Sequence, residues 1–183
     1  EVEIWSDVVC PWCYIGKRRF ERAVAEVADD IEVRVTYRPF QLDPGARPGG
    51  SVPVRDAYAR KFGGPEQADR ILTHLTGVAA AEGLEFRMDL ALRANTLLAH
   101  RLLWLTSATG HQAALKERLL QAYFHDGLDI GDPDVLAGCA ADVGLDRDRA
   151  RAFLESDDGR EEVLAELDRA RDSEINAVPT YVF

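Results

Sequence analysis

Apolar and polar positions alternate at the start of the chain. Val2-Glu3-Ile4-Trp5 is rich in strand formers and predicts a β-strand. Cys10-Pro11 then opens a helix, since proline suits the first helical position. Phe20, Val24 and Val27 repeat at helical spacing on one face, and Asp29-Asp30 ends that segment. Ile31, Val33, Val35 and Tyr37 alternate again, which predicts a second strand over 31–37, limited by Pro39. Between 44 and 53 stand Pro44, Gly45, Pro48, Gly49, Gly50 and Pro53, the composition of a loop or linker.

From about residue 54 to 156 the pattern is helical throughout. Pro65 starts a segment whose apolar face is Ile71, Leu72, Leu75 and Val78, closed by Gly83. Residues 94–109 carry Leu97, Leu98, Leu102 and Leu105, with Gly110 as the stop. Residues 111–126 carry Leu115, Leu119 and Tyr123, with Gly127 as the stop. Asp132-Pro133 is an N-cap followed by proline, Gly144 closes that helix, and Asp146 opens another. Over 158–173, Val163, Leu164 and Leu167 face inward. Ala177 to Phe183 turns β once more. The order is therefore β-α-β, a helical block of roughly 100 residues, then α-β. Three strands are few for a helix-covered sheet. The last strand ends without turn or cap, so the natural C-terminus is expected to lie beyond residue 183.

Composition changes this picture little and narrows the partners. Hydrophobic residues make up 46 % of the 183 and charged residues 30 %, ordinary values for a soluble globular protein. No apolar run approaches the roughly 18–20 residues of a membrane span. The formal net charge of −10 suits neither nucleic acid nor an anionic membrane. No basic-then-apolar signal stands at the N-terminus, and a cytoplasmic setting is expected. Residue 1 is Glu rather than Met, which leaves a trimmed leader open. Three cysteines, Cys10, Cys13 and Cys139, are too few for an extracellular disulfide scaffold.

Chemistry concentrates in Cys10-Pro11-Trp12-Cys13. Cys10 falls at the N-cap of the first helix and Cys13 one turn inside it. Positions i and i+3 are neighbours and lie within reach of a disulfide. Free N–H groups and the positive helix end favour a thiolate at the first cysteine. Cys10 is expected to be the more exposed, attacking thiolate, and Cys13 the buried, resolving one. Pro11 and Trp12 set the turn, shield Cys13 and tune redox poise. Half of a zinc site is the alternative. The remaining ligand candidates are Cys139, His74, His100, His111 and His125, none of them a second tight pair, so no metal is expected. A structural disulfide would close only a very short loop and stabilise least. Cys139, among Leu136, Ala137, Ala140 and Val143, reads as a buried, inert thiol. Val178-Pro179 is either a plain edge-strand proline or a cis bond set against the dithiol, where the Val178 backbone could hold a substrate strand.

The segment Trp5-Ser6-Asp7-Val8-Val9-Cys10-Pro11-Trp12-Cys13-Tyr14-Ile15-Gly16 resembles bacterial FrnE-type oxidoreductases of the DsbA family. Tyr37-Arg38-Pro39-Phe40-Gln41-Leu42-Asp43-Pro44, Asn95-Thr96 with His100-Arg101, Tyr123-Phe124 with Gly127-Leu128-Asp129-Ile130, and Ala177-Val178-Pro179-Thr180 resemble the same group. The resemblance implies an α/β thioredoxin-like fold with an inserted all-helical domain. Residues 1–45 and 157–183 would form the thioredoxin-like part and 46–156 the insertion, with a further strand and helix beyond 183. It implies a cis bond at Pro179 and disulfide exchange through Cys10 and Cys13 on protein or small-molecule thiols. No cofactor would be bound beyond the redox-active disulfide, glutathione would be a possible co-substrate, and the chain would be a monomer or homodimer. Related 2-hydroxychromene-2-carboxylate isomerases and kappa-class glutathione transferases usually carry Ser at the position of Cys10 and bind glutathione. A glutathione-dependent isomerase is thus one competing class, and a cleft-based chaperone with secondary redox activity another. Asp7 is a candidate for proton transfer or for capping the strand-to-helix turn. Asn95, His100 and Arg101 are placed on one helix, with His100 either facing the cleft or making a plain polar contact. His125 is expected at the surface near a helix end.

Overall fold

A computed structural model describes residues 1–47, 49 and 52–183. The loop expected over 44–53 falls partly on Pro48, Gly50 and Ser51, which lie outside the described residues. The elements run β1 (Val2–Ser6), α1 (Pro11–Glu26), β2 (Val35–Pro39), α2 (Val54–Phe62), α3 (Pro65–Ala81), α4 (Leu97–Ser107), α5 (Gln112–Phe124), α6 (Pro133–Asp142), α7 (Arg147–Glu155), α8 (Arg160–Asp172) and β3 (Thr180–Val182). No helix among the described residues is long and apolar enough to cross a membrane.

The three strands form one mixed sheet in the order β2-β1-β3. β1 pairs in parallel with β2, with Ile4 opposite Tyr37, and antiparallel with β3, with Ile4 opposite Tyr181. Val2, Ile4 and Tyr37 are buried on this sheet beneath Phe20 of α1 and Tyr181. The strand predicted over 31–37 instead runs over 35–39. The register sets Val2 against Val35 and Ser6 against Pro39, so pairing carries the strand past Tyr37, and Val2 N donates to the Arg34 carbonyl at its start. Ile31 is exposed.

The larger core lies within the helical block and reaches α1 through Tyr14 and Ile15. Local signals place several of its helices. Asp132 Oδ1 accepts from Asp134 N at 2.7 Å to cap α6, and Asp146 Oδ1 accepts from Arg149 N at 2.9 Å to cap α7. One stretch departs from the all-helical expectation. After Gly83, whose φ of +74° ends α3, residues 84–96 contain no helix. Leu84, Phe86 and Met88 are buried while Glu85, Arg87 and Asp89 are exposed, a period of two rather than 3.6. Tertiary hydrogen bonds hold this segment. Arg87 N donates to the Phe124 carbonyl, Arg93 N to that of Val52, and Val54 N to that of Ala91.

The dithiol helix is bolted to the insertion through Glu117 of α5. Tyr14 Oη donates to Glu117 Oε1 at 2.7 Å, Arg18 Nη2 donates to the same oxygen at 2.8 Å, and Lys17 Nζ bonds Oε2. Arg101 of α4 is buried and donates to the carbonyls of Phe153, Ser156 and Asp158, fixing the end of α7.

Candidate active site

Cys10 caps α1, as the pattern predicts: its Sγ accepts from Cys13 N at 3.3 Å, and Pro11 occupies the first helical position. Both cysteines are free thiols. Their side chains share the first turn because residues three apart on a helix lie on one face. The Cys10 thiol donates to the Val178 carbonyl at 3.6 Å, which brings the far end of the chain against the dithiol. The Val178–Pro179 peptide bond is cis. Gly16 makes this approach possible. A Cβ there would stand 2.9 Å from Tyr181 Oη and 3.0 Å from Pro179 Cγ.

The two cysteines do not differ in overall exposure, contrary to the expected contrast: each is 3 % exposed. They differ in what they face. Cys10 lines an open cavity of about 560 Å³ with Pro11, Trp12, His74 and Val178, while Cys13 does not reach it. Burial pushes the Cys13 thiol well above its usual range, Cys10 beside it adds to the rise, and Lys116 opposes it. Trp12 is 42 % exposed and leans toward His74, with ring centroids 6.4 Å apart. Tyr58 and Tyr181 stay neutral, each pushed up to about 12 by burial, with a smaller contribution from Cys10 on Tyr58 and from Cys13 on Tyr181.

Asp7 and His100 meet each other rather than the cleft. Asp7 is fully buried. Its Oδ1 accepts from Val8 N at 2.8 Å and its Oδ2 from Leu42 N at 2.8 Å. His100 Nε2 lies 3.1 Å from Asp7 Oδ1 and 2.9 Å from the Phe40 carbonyl. Both neighbours are acceptors, so Nε2 carries the proton. Asp7 therefore ties the β1–α1 turn to the segment after β2, and its carbonyl accepts from Cys10 N at 3.4 Å. Asn95 stands before α4, not on it. Its Oδ1 accepts from Leu97 N and its Nδ2 donates to the Ala46 carbonyl, which takes it away from the dithiol cavity. Cys139 is buried in the helical core, and burial raises its thiol. His125 is exposed at the end of α5, 3.6 Å from Glu85.

Lys116 is the residue that sequence reasoning passed over. It is 1 % exposed, and its Nζ has no hydrogen-bond partner among the described residues. The ammonium lies 5.7 Å from the centre of the Tyr37 ring and shares a small cavity of about 60 Å³ with His100. Burial lowers its pKa, and negative charge on Cys13, then Asp7 and Cys10, would raise it. A signal existed. Gln112, Lys116, Leu119, Leu120 and Tyr123 follow helical spacing and are all buried, so Lys116 sits on the inward face of α5.

A three-stranded mixed sheet, a dithiol at the N-terminus of its first helix and a long helical insertion define a thioredoxin-like α/β protein. The chain belongs to the DSBA-like thioredoxin domain family, whose pattern matches residues 1–183. The probable DsbA oxidoreductase SCO1869 of Streptomyces coelicolor superposes with a TM-score of 0.91 at 37 % identity, over 99 % of this chain and 79 % of that one. YwbO of Bacillus subtilis (strain 168) is 29 % identical over 194 residues, 99 % of this chain and 85 % of that protein. The cytosolic disulfide reductase DsbM of Pseudomonas aeruginosa, solved with GSH, shares the fold at a TM-score of 0.68 and 17 % identity, over all of this chain and 85 % of that one.

Proposed function

We propose that the protein is a thiol–disulfide oxidoreductase acting through Cys10 and Cys13. The observation that carries this reading is Cys10 Sγ at the helix N-cap, touching the Val178 carbonyl and facing an open cavity, with a buried thiol one turn behind it. In the reductive direction the Cys10 thiolate attacks one sulfur of a substrate disulfide and expels the other as a thiolate, leaving a mixed disulfide. The Cys13 thiol loses its proton and attacks Cys10 Sγ. The second substrate thiolate leaves, and the Cys10–Cys13 bond holds the two-electron oxidation. Run backwards, the same steps oxidise a substrate dithiol. The backbone of Val178 offers a carbonyl that an extended substrate chain can pair with as a transient strand. Cys10 in place of serine favours this dithiol chemistry over glutathione-dependent isomerisation, and glutathione is then a thiol reactant.

Insulin reduction by dithiothreitol, followed as turbidity, tests the reading. The wild type is expected to accelerate it and Cys10→Ser to abolish the acceleration. An inactive wild type in which mass spectrometry finds no Cys10–Cys13 bond after oxidation would refute it.

A further inference from the structure

The cavity at Cys10 does not end there. A second cavity of about 550 Å³ shares Leu42, Tyr58, Lys61 and Phe62 with it, so the two form one groove running from the dithiol along α2 toward Arg93. Its floor is apolar and aromatic. Its charge is opposite to that of the molecule. The chain has 32 acidic and 22 basic residues, yet no carboxylate among the described residues lines the lobe at Cys10, where Lys61, Arg70 and His74 stand. In the other lobe Arg60 and Arg93 join Lys61, and the one carboxylate among the described residues, Asp43, is held by Arg93 through two bonds of 2.6 and 2.9 Å.

Among the described residues, no carboxylate pairs with the remaining cations. Arg70 donates to the neutral Gln67 Oε1, Arg60 Nε to the Asp56 carbonyl, and the Lys61 ammonium lies 5.5 Å over the Phe62 ring. The carboxylates of the same two helices, Asp56, Glu66 and Asp69, do not line the groove, and Asp69 is bound by Arg55. At physiological salt the Debye length is about 8 Å, so a bound chain responds to these nearby cations and little to the overall charge of −10.

We propose that the groove selects thiols and disulfides carried on acidic peptide segments, with carboxylate side chains flanking the reacting cysteine. This rests on the oxidoreductase reading and names the substrate class of the same site. Acidic side chains within two or three residues of the cysteine would reach Lys61 and Arg70, while apolar neighbours pack on Trp12, Tyr58 and Phe62. Charge complementarity of this kind acts chiefly on encounter rate and orientation.

Three peptides identical except for Glu, Gln or Lys at the two positions on each side of a single cysteine, each disulfide-bonded to the same coloured aromatic thiol, test the proposal. Reduced full-length protein releases that thiol when Cys10 and Cys13 are oxidised and the peptide thiol is freed. At 0.15 M salt the second-order rate constant of this single turnover is expected to be about tenfold higher for the Glu peptide than for the Lys peptide, with Gln between. The gap should close near 1 M salt, where the Debye length is about 3 Å. In the double variant Lys61→Glu/Arg70→Glu the order should reverse, a result that general damage to the fold would not produce. Equal rates in the wild type overturn the proposal, and so does a Glu preference that survives the double variant. Turnover of none of the three peptides sinks the oxidoreductase reading instead.

Discussion

Lys116→Met exchanges a buried ammonium for an apolar side chain of similar length. A buried polar group without a partner costs about 1–3 kcal/mol, and Lys116 has none among the described residues. Its contact with the Tyr37 ring returns about 0.5–2 kcal/mol. The variant is therefore expected to be more stable by about 1 kcal/mol, or about 2–4 °C in Tm for a chain of this size. The gain depends on pH in a defined sense. Burial lowers the folded-state pKa of Lys116. Between that depressed value and the unfolded value of about 10.4, the unfolded chain binds more protons, so the wild type gains stability as pH rises through this window. The advantage of Lys116→Met should be full below the window and shrink as pH approaches about 10.4. The raised Cys13 thiol has the opposite slope, and losing Lys116 raises it further, so at alkaline pH Cys13 adds to the shrinkage of the variant's advantage.

The same substitution should harm turnover. Lys116 is the charge that lowers the Cys13 pKa, against burial and Cys10. Without it the resolving thiolate is scarcer, and each pKa unit is a factor of ten in its population near neutral pH. Resolution of the mixed disulfide is expected to slow about tenfold, while its formation by Cys10 changes much less. Urea unfolding from pH 6 to 10 gives the first quantity, and acid-quenched trapping of the mixed disulfide the second. A variant destabilised by more than about 2 kcal/mol, or one that resolves at the wild-type rate, would refute the reasoning.

Further expectations follow from other contacts. Cys13→Ser should accumulate a stable Cys10–substrate mixed disulfide on non-reducing gels, and iodoacetamide at pH 7 should label Cys10 of the reduced wild type well ahead of Cys13, whose thiol is held protonated by burial. Asp7→Ala strips acceptors from Val8 N, Leu42 N and His100 Nε2 and should cost at least about 3 kcal/mol in denaturant unfolding; a cost under about 1 kcal/mol would remove Asp7 from its clamping role. Gly16→Val meets Tyr181 and Pro179 and should cost about 1–3 kcal/mol while also slowing disulfide exchange; unchanged exchange with lost stability would detach the Val178–Pro179 segment from catalysis.

Much of the site was legible because its determinants are local. Cys10 at an N-cap, Pro11 at the next position and Cys13 one turn on need only the helix itself to become neighbours. Asp132 and Asp146 cap α6 and α7 for the same reason. Features that depend on partners distant in sequence were read less well. Residues 31–37 alternate like a strand, but pairing with β1 places the ladder over Val35–Pro39, and that register depends on a strand some thirty residues away. Asn95 shares the helical pattern of 94–109 but stands outside α4, which begins at Leu97, and its Nδ2 is held by the Ala46 carbonyl of a remote loop.

Sequence by itself determined the element order, the caps that open α1, α6 and α7, and the dithiol, since hydrophobic period, capping residues and the i, i+3 spacing act within a few residues along the chain. Tertiary structure alone decided which groups surround those sulfurs. It set the Val178 carbonyl against Cys10, joined Asp7 to His100, closed Lys116 beneath the sheet and gathered Lys61 and Arg70 along the groove. Those environments are sums of desolvation and charge over residues far apart in the chain, and neither can be evaluated until packing fixes which of them exclude water together.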